Sequence, residues 1–206
     1  MSEIRMVTYE PMIFRKEGVK IVSEYDDIPE YLDASIRTEP SLNVKYPGIS
    51  SLCRGEKLAP KLKVGDKMIY ITKKSTYHQE FNHWRLVAIL EVIKVTKTHE
   101  EAADWYKNNN YELPKNCLVE DNPPLSFNKT TIPKEKICDA EEDYQCKASE
   151  HSQFNICKKI HVELDNPPII GESKMEEIFG IKNPGTQNFK YVEEHEYNKL
   201  LELMKG

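Results

Sequence analysis

At 206 residues and 24.0 kDa, with 39% hydrophobic and 31% charged residues, the chain has the size of one domain and the composition of a globular protein. A formal net charge of -5 excludes a protein that coats nucleic acid indiscriminately, and no apolar run approaches the ~18 residues of a membrane span. The N-terminus has no basic region followed by an apolar one, and five cysteines, an odd number, fit reduced thiols, so a cytoplasmic protein is expected.

In chain order, residues 1 to 22 read as an opening strand pair, with Met12, Ile13 and Phe14 paired to Val19 to Val22 across a turn at Gly18. Ser23 to Ile36 is acidic; Asp27 can cap a short helix there, with Ile28, Tyr31, Leu32 and Ile36 on one stripe. Thr38 to Pro60 is a long irregular connector with three prolines and two glycines, and long ordered loops are often functional.

Leu62 to Val95 carries the strongest pattern. A Val64-Gly65-Asp66 turn leads into a β-branched and aromatic run, Lys67 to Thr72, and Trp84 to Val95 is apolar on both faces until Glu91. These two stretches predict adjacent strands joined by a loop, Lys73 to His83. Thr98 with Glu101 forms a capping box for a helix over His99 to Asn109, with Ala102, Trp105 and Tyr106 inward. Residues 133 to 151 are polar and helical or irregular, and Phe154 to Leu164 alternates as a strand. Asp-Asn-Pro-Pro occurs at Asp121 and again at Asp165, which reads as reused turn chemistry. A short helix capped by Ser173 and closed by Gly180, a turn-rich loop from Ile181 to Phe189, and a last helix over Glu193 to Met204 complete the chain.

Several groupings can carry chemistry. Seven basic residues against two acidic ones lie between Arg54 and Lys74, either a phosphate-binding strip or a solvated face. Tyr70, Tyr77, Phe81 and Trp84 sit on or beside the core loop that Lys73 and Lys74 open; rings beside cations can stack on a base while the cations hold phosphate, although strand aromatics also simply fill cores. Ser50 to Gly55 offers hydroxyls, a thiol and a guanidinium to a polar or anionic ligand. Cys138, Cys146, Cys157 and His161 match a zinc set only loosely, lacking a tight C-x2-C pair. Cys53 with His78 or His83, or Lys73 or Lys74 with Thr76 and Glu91, are conceivable catalytic sets.

The Val64 to Thr72 turn and strand, followed by a long strand ending Val-Ile-Lys-Val, resembles the opening of PUA-like barrels, the group that contains the ASCH, EVE and YTH domains. WRLVAILEV, HEEAADWY, LPKNCLVEDNPPL and IFGIKNPGTQNF are similar to phrases of the nucleotide-modification-associated families of that superfamily, over roughly residues 45 to 203. The resemblance implies an α+β fold, a small β-barrel flanked by helices, in a single domain with an N-terminal extension to about residue 44 and a C-terminal helical segment from about 173. It implies a base pocket lined by Ser51, Cys53, Arg54, Tyr70, Tyr77, Trp84, Asn116 and Asn188, with Lys57, Lys61, Lys73 and Lys74 on phosphate. The expected function is binding of DNA, RNA or a free nucleotide, modified or not, without cofactor or metal. The alternative is an ASCH-like hydrolase acting on a modified nucleoside. With two tryptophans in the chain, a YTH-type methyl-adenine cage is disfavoured.

Overall fold

The computed structural model describes residues 2–181, 184 and 188–204. Its centre is a seven-stranded mixed sheet: β1 (Ile4–Tyr9), β2 (Gly48–Ile49), β3 (Lys67–Thr72), β4 (Trp84–Thr96), β5 (Phe154–Val162), β6 (Ile169–Ile170) and β7 (Lys190–Tyr191). The strands run in the order β2-β5-β4-β3-β1-β7, with β6 paired to the start of β4. Among the described residues only β1 and β3 pair in parallel; the other pairs are antiparallel. Among the described residues the two ends, β2 and β7, do not pair, so the sheet is open.

The α+β class and the central pair follow the sequence pattern. β3 covers Lys67 to Thr72 as expected, and β4 extends one residue beyond Val95. Both are buried over most of their length, because each is sandwiched between apolar clusters on the two sheet faces. Asp66, in the preceding turn, accepts hydrogen bonds from the Glu3 and Lys63 backbone amides and an ion pair from buried Arg5, tying the entry of β3 to β1.

The helices are α1 (Lys16–Glu24), α2 (His99–Asn108), α3 (Ile137–Glu150), α4 (Glu172–Phe179) and α5 (Glu194–Glu202). The Thr98 hydroxyl accepts from the Glu101 amide to cap α2, and Gly180 ends α4 in the left-handed region at φ 62°. α4 begins after Gly171, not at Ser173. α5 buries Tyr197 and Leu200 against Ile4, Ile69 and Trp84.

The opening differs from expectation. The strand is Ile4–Tyr9, and residues 12–14 and 16–24 form a 3-10 turn and α1 in place of a hairpin. Gly18 is helical: a Cβ there would collide with the Met12 carbonyl, so the glycine serves close packing and not a turn. Ser23 and Glu24 end α1, and residues 25–36 form turns without the expected second helix, yet Ile28, Tyr31, Leu32 and Ile36 are all buried as the stripe required. The loop expected from Ile181 to Phe189 lies largely outside the described residues.

The two Asp-Asn-Pro-Pro turns share a mechanism. Buried Arg37 donates to the Asn122 carbonyl at 2.7 Å, and buried Arg85 donates to Asn166 Oδ1 at 3.2 Å and the Pro167 carbonyl at 2.7 Å. A guanidinium supplies the donors that paired prolines cannot.

Candidate functional site

Ser50 to Lys57 leaves β2 and folds against the C-terminal end of α3. Together they enclose an open cleft of about 640 Å³ lined by Cys53, Arg54, Gly55, Glu56, Lys57, Lys147, Glu150 and His151. Gly55, at φ 51°, provides the backbone reversal that turns the chain along the cleft. Ser51 does not line the cleft. It is fully buried, and its hydroxyl lies 3.0 Å and 2.9 Å from the Lys147 and His151 carbonyls, capping the end of α3. This covers carbonyl oxygens that would otherwise present negative charge beside the cleft.

Arg54 connects the cleft to the interior. Its Nη2 donates to the Thr8 carbonyl on β1, while its Nε is buried with no partner among the described residues. A buried guanidinium N–H without an acceptor costs on the order of 1–3 kcal/mol. One buried carboxylate, Asp33, feels the Arg54 charge, and a second, Glu39, adjoins Asp33. Asp33 Oδ1 accepts from Ser35 and from the Glu39 amide, and Glu39 accepts from the Ser50 amide, the Ser50 hydroxyl and Asn116 Nδ2. Burial pushes Asp33 up to about 6 and Glu39 up to about 7 despite those donors, and the nearby Arg54 charge draws Asp33 back down.

The expected base-binding residues divide. Cys53 and Arg54 meet in the cleft with Lys57. Asn116 is buried beneath it, holding Glu39 and the Gly48 carbonyl, with its Oδ1 unpartnered. Asn188 is exposed on a separate pocket of about 260 Å³ that also touches Thr8 and Lys190.

The aromatics correct the expectation of a ring-lined pocket at the core loop. Trp84 is 1% exposed and packs among Ile4, Met6, Ile69 and Phe179, with the Lys74 ammonium over its ring. Tyr70 is packed edge-on against Tyr9 in the opposite cluster. Tyr77 is buried beside Tyr31 and donates to the Lys73 carbonyl at 2.5 Å. The 73–83 loop is closed by paired Ser75 and His83 and by Arg85, which donates to His83 Nε2 at 2.9 Å and to the Tyr77 carbonyl. None of these three rings lines the cleft at Arg54 or the pocket at Asn188. Their burial in clusters on the two sheet faces accounts for aromatic residues there.

The basic strip is also broken up. Lys73 pairs with Glu10 and Lys74 with Glu172, whereas Lys57, Lys61 and Lys63 form no ion pair among the described residues. The hydrolytic set is dispersed: Glu91 sits opposite Lys67 at the start of β3 and pairs with Lys158, while Lys73 lies six residues further on, ~20 Å away at strand spacing. All five cysteines are free, with Cys117 and Cys157 buried. No described helix is long and apolar enough to cross a membrane.

Sequence reasoning missed Thr8, Lys147 and His151, which reach the site from distant elements. It also missed Asp33, whose signal was present: one carboxylate inside the apolar run Tyr31, Leu32, Ala34 and Ile36.

No protein-family model matches the chain, and no curated protein matches it. Among solved structures, an ASCH protein from Zymomonas mobilis is similar, with 7% identity, a TM-score of 0.41, and coverage of 98% of this chain and 95% of that chain. A single-residue variant of the same protein gives 8% identity, 98% and 96% coverage, and a TM-score of 0.40. At these values the likeness assigns neither family nor activity.

Proposed function

We propose that this chain is a nucleotide- or nucleic-acid-binding module of the PUA-like type, folded as one domain, and that its ligand enters the cleft at Arg54. Support for a barrel-like core comes from one cluster that gathers side chains of β1, β2, β3, β4 and β5, the arrangement a strongly curled sheet produces. The observation that carries the binding reading is the Arg54 guanidinium. It has a buried Nε that lacks an acceptor among the described residues, and it lines a cleft that presents Lys57, Lys147 and His151 alongside Glu56 and Glu150. A planar fork of donors suits a phosphate or the O6/N7 edge of guanine.

No Phe, Tyr or Trp ring lines this cleft among the described residues, so recognition relies on edge hydrogen bonds and phosphate charge, not on an aromatic stacking cage. The reading requires no catalytic step. Calorimetric titration with nucleoside monophosphates and short single-stranded DNA and RNA, unmodified and base-modified, tests it. Binding that Arg54→Gln weakens at least tenfold supports the reading; wild-type protein that binds none of these ligands overturns it.

A further inference from the structure

A second cavity, of about 400 Å³, shares no lining residue with the Arg54 cleft. It is lined by Glu10, Arg15, Asp33, Ala34, Ser35, Thr131, Ile132, Pro133 and Lys136. Its one deeply buried charged group is Asp33, 6% exposed. The two oxygens of that carboxylate differ. Oδ1 takes the Ser35 amide at 3.0 Å, the Ser35 hydroxyl at 2.5 Å and the Glu39 amide at 3.2 Å, whereas Oδ2 accepts no hydrogen bond among the described residues. Three donors on one oxygen fix the carboxylate in place, and the other oxygen is left as an acceptor in the cavity wall.

The rim has the opposite sign. Lys136 is exposed and forms no ion pair among the described residues, and it stands at the N-cap of α3, a 14-residue helix whose first turn favours negative charge. Arg15 shares Glu10 with Lys73 and so is only partly neutralised. A ligand that satisfies both ends must donate an N–H to the floor and present an anion at the rim.

We propose that the Asp33 cavity is a binding site for a small molecule with an amino or ammonium head and an anionic tail, the head donating to Asp33 Oδ2 and the tail meeting Lys136 and Arg15. α-Amino acids and nucleoside monophosphates with an exocyclic amino group share this chemistry. The site goes beyond the nucleotide reading of the Arg54 cleft and does not depend on it.

Calorimetric titration of the full chain separates the sources. One arm uses single α-amino acids; the other uses cytidine and guanosine monophosphates, with uridine monophosphate, which lacks the amino group, as the matched control. Saturable binding in either arm is expected, with uridine monophosphate at least tenfold weaker than cytidine monophosphate if the nucleotide arm is positive. Asp33→Asn keeps an oxygen for the three donors and puts an NH2 where Oδ2 was, so it abolishes binding. Lys136→Gln, an exposed change that removes the rim charge, weakens it several-fold. All of these titrations are made in an Arg54→Gln background, which removes nucleotide binding at the cleft so that the Asp33 site is read by itself. No binding in either arm, or binding that survives both Asp33→Asn and Lys136→Gln, overturns the proposal.

Discussion

Arg85 Nε donates to Nε2 of His83 at 2.9 Å, and the other ring nitrogen of that histidine lies 3.0 Å from the Phe81 carbonyl. The geometry fixes one tautomer: Nδ1 carries the proton and donates to the carbonyl, and Nε2 accepts from the guanidinium. Desolvation by burial and the Arg85 charge hold His83 below its usual value, so the ring stays neutral. The same guanidinium holds the Pro167 and Tyr77 carbonyls, so one residue joins the core loop to the second Asp-Asn-Pro-Pro turn.

Replacing Arg85 by Met therefore leaves several buried acceptors unsatisfied. A loss of about 3–5 kcal/mol is expected in urea denaturation. A loss below 1 kcal/mol would mean that the loop is not held by this residue.

Trp84→Ala separates packing from binding. With its ring buried among Ile4, Met6, Ile69 and Phe179, truncation is expected to cost about 3–5 kcal/mol of stability. Nucleotide affinity, measured at a temperature where the variant remains folded, should stay within twofold of wild type. Selective loss of affinity with unchanged stability would return Trp84 to the ligand site.

The buried carboxylates predict a pH dependence. Burial raises Glu39 to about 7 and Asp33 to about 6, so the native state holds these protons more tightly than the unfolded chain. Their stabilisation is complete below about pH 4 and is lost as pH rises through those values. His99 acts oppositely: burial lowers it to about 4, so its contribution is present above about pH 6.5 and lost as pH falls toward 4. Between pH 6.5 and 8 the Glu39 contribution, roughly 1 kcal/mol, is lost, while the lowered values of His99, His83 and His161 add smaller gains of the opposite sign, so the Glu39 part is read as a difference between wild type and variant. Urea midpoints for wild type and Glu39→Gln across that window test the assignment. Wild type should lose roughly 1 kcal/mol relative to the variant across the window, whatever the variant's own slope; equal slopes would remove Glu39 as the cause.

What was legible in the sequence was local. β3 and β4 could be read because β-branched residues alternate between two buried faces, and α2 because Thr98 and Glu101 announce its first turn. α1 was mistaken for a hairpin because a short apolar run around Gly18 fits both periods, and only the approach to Met12 decides between them. Cys53 and Arg54 were legible as polar groups on an irregular loop, but their setting was not. Thr8 lies 46 residues from Arg54, and Lys147 and His151 lie about 100 from Ser51. No local pattern encodes such contacts. The aromatics of the core loop misled for the same reason, since a ring beside a lysine reads alike whether it faces a ligand or the core.

The central claim is that Arg54 receives the anionic or base edge of a nucleotide in the cleft. Fluorescence anisotropy of a labelled ten-nucleotide single strand at 50 mM and 200 mM salt, with wild type, Arg54→Gln and exposed Lys57→Gln, tests it most directly. The account predicts tighter wild-type binding at low salt, a loss of at least tenfold in Arg54→Gln, and a shallower salt slope in both variants. Wild-type binding that neither substitution changes, or no binding at either salt, would contradict it.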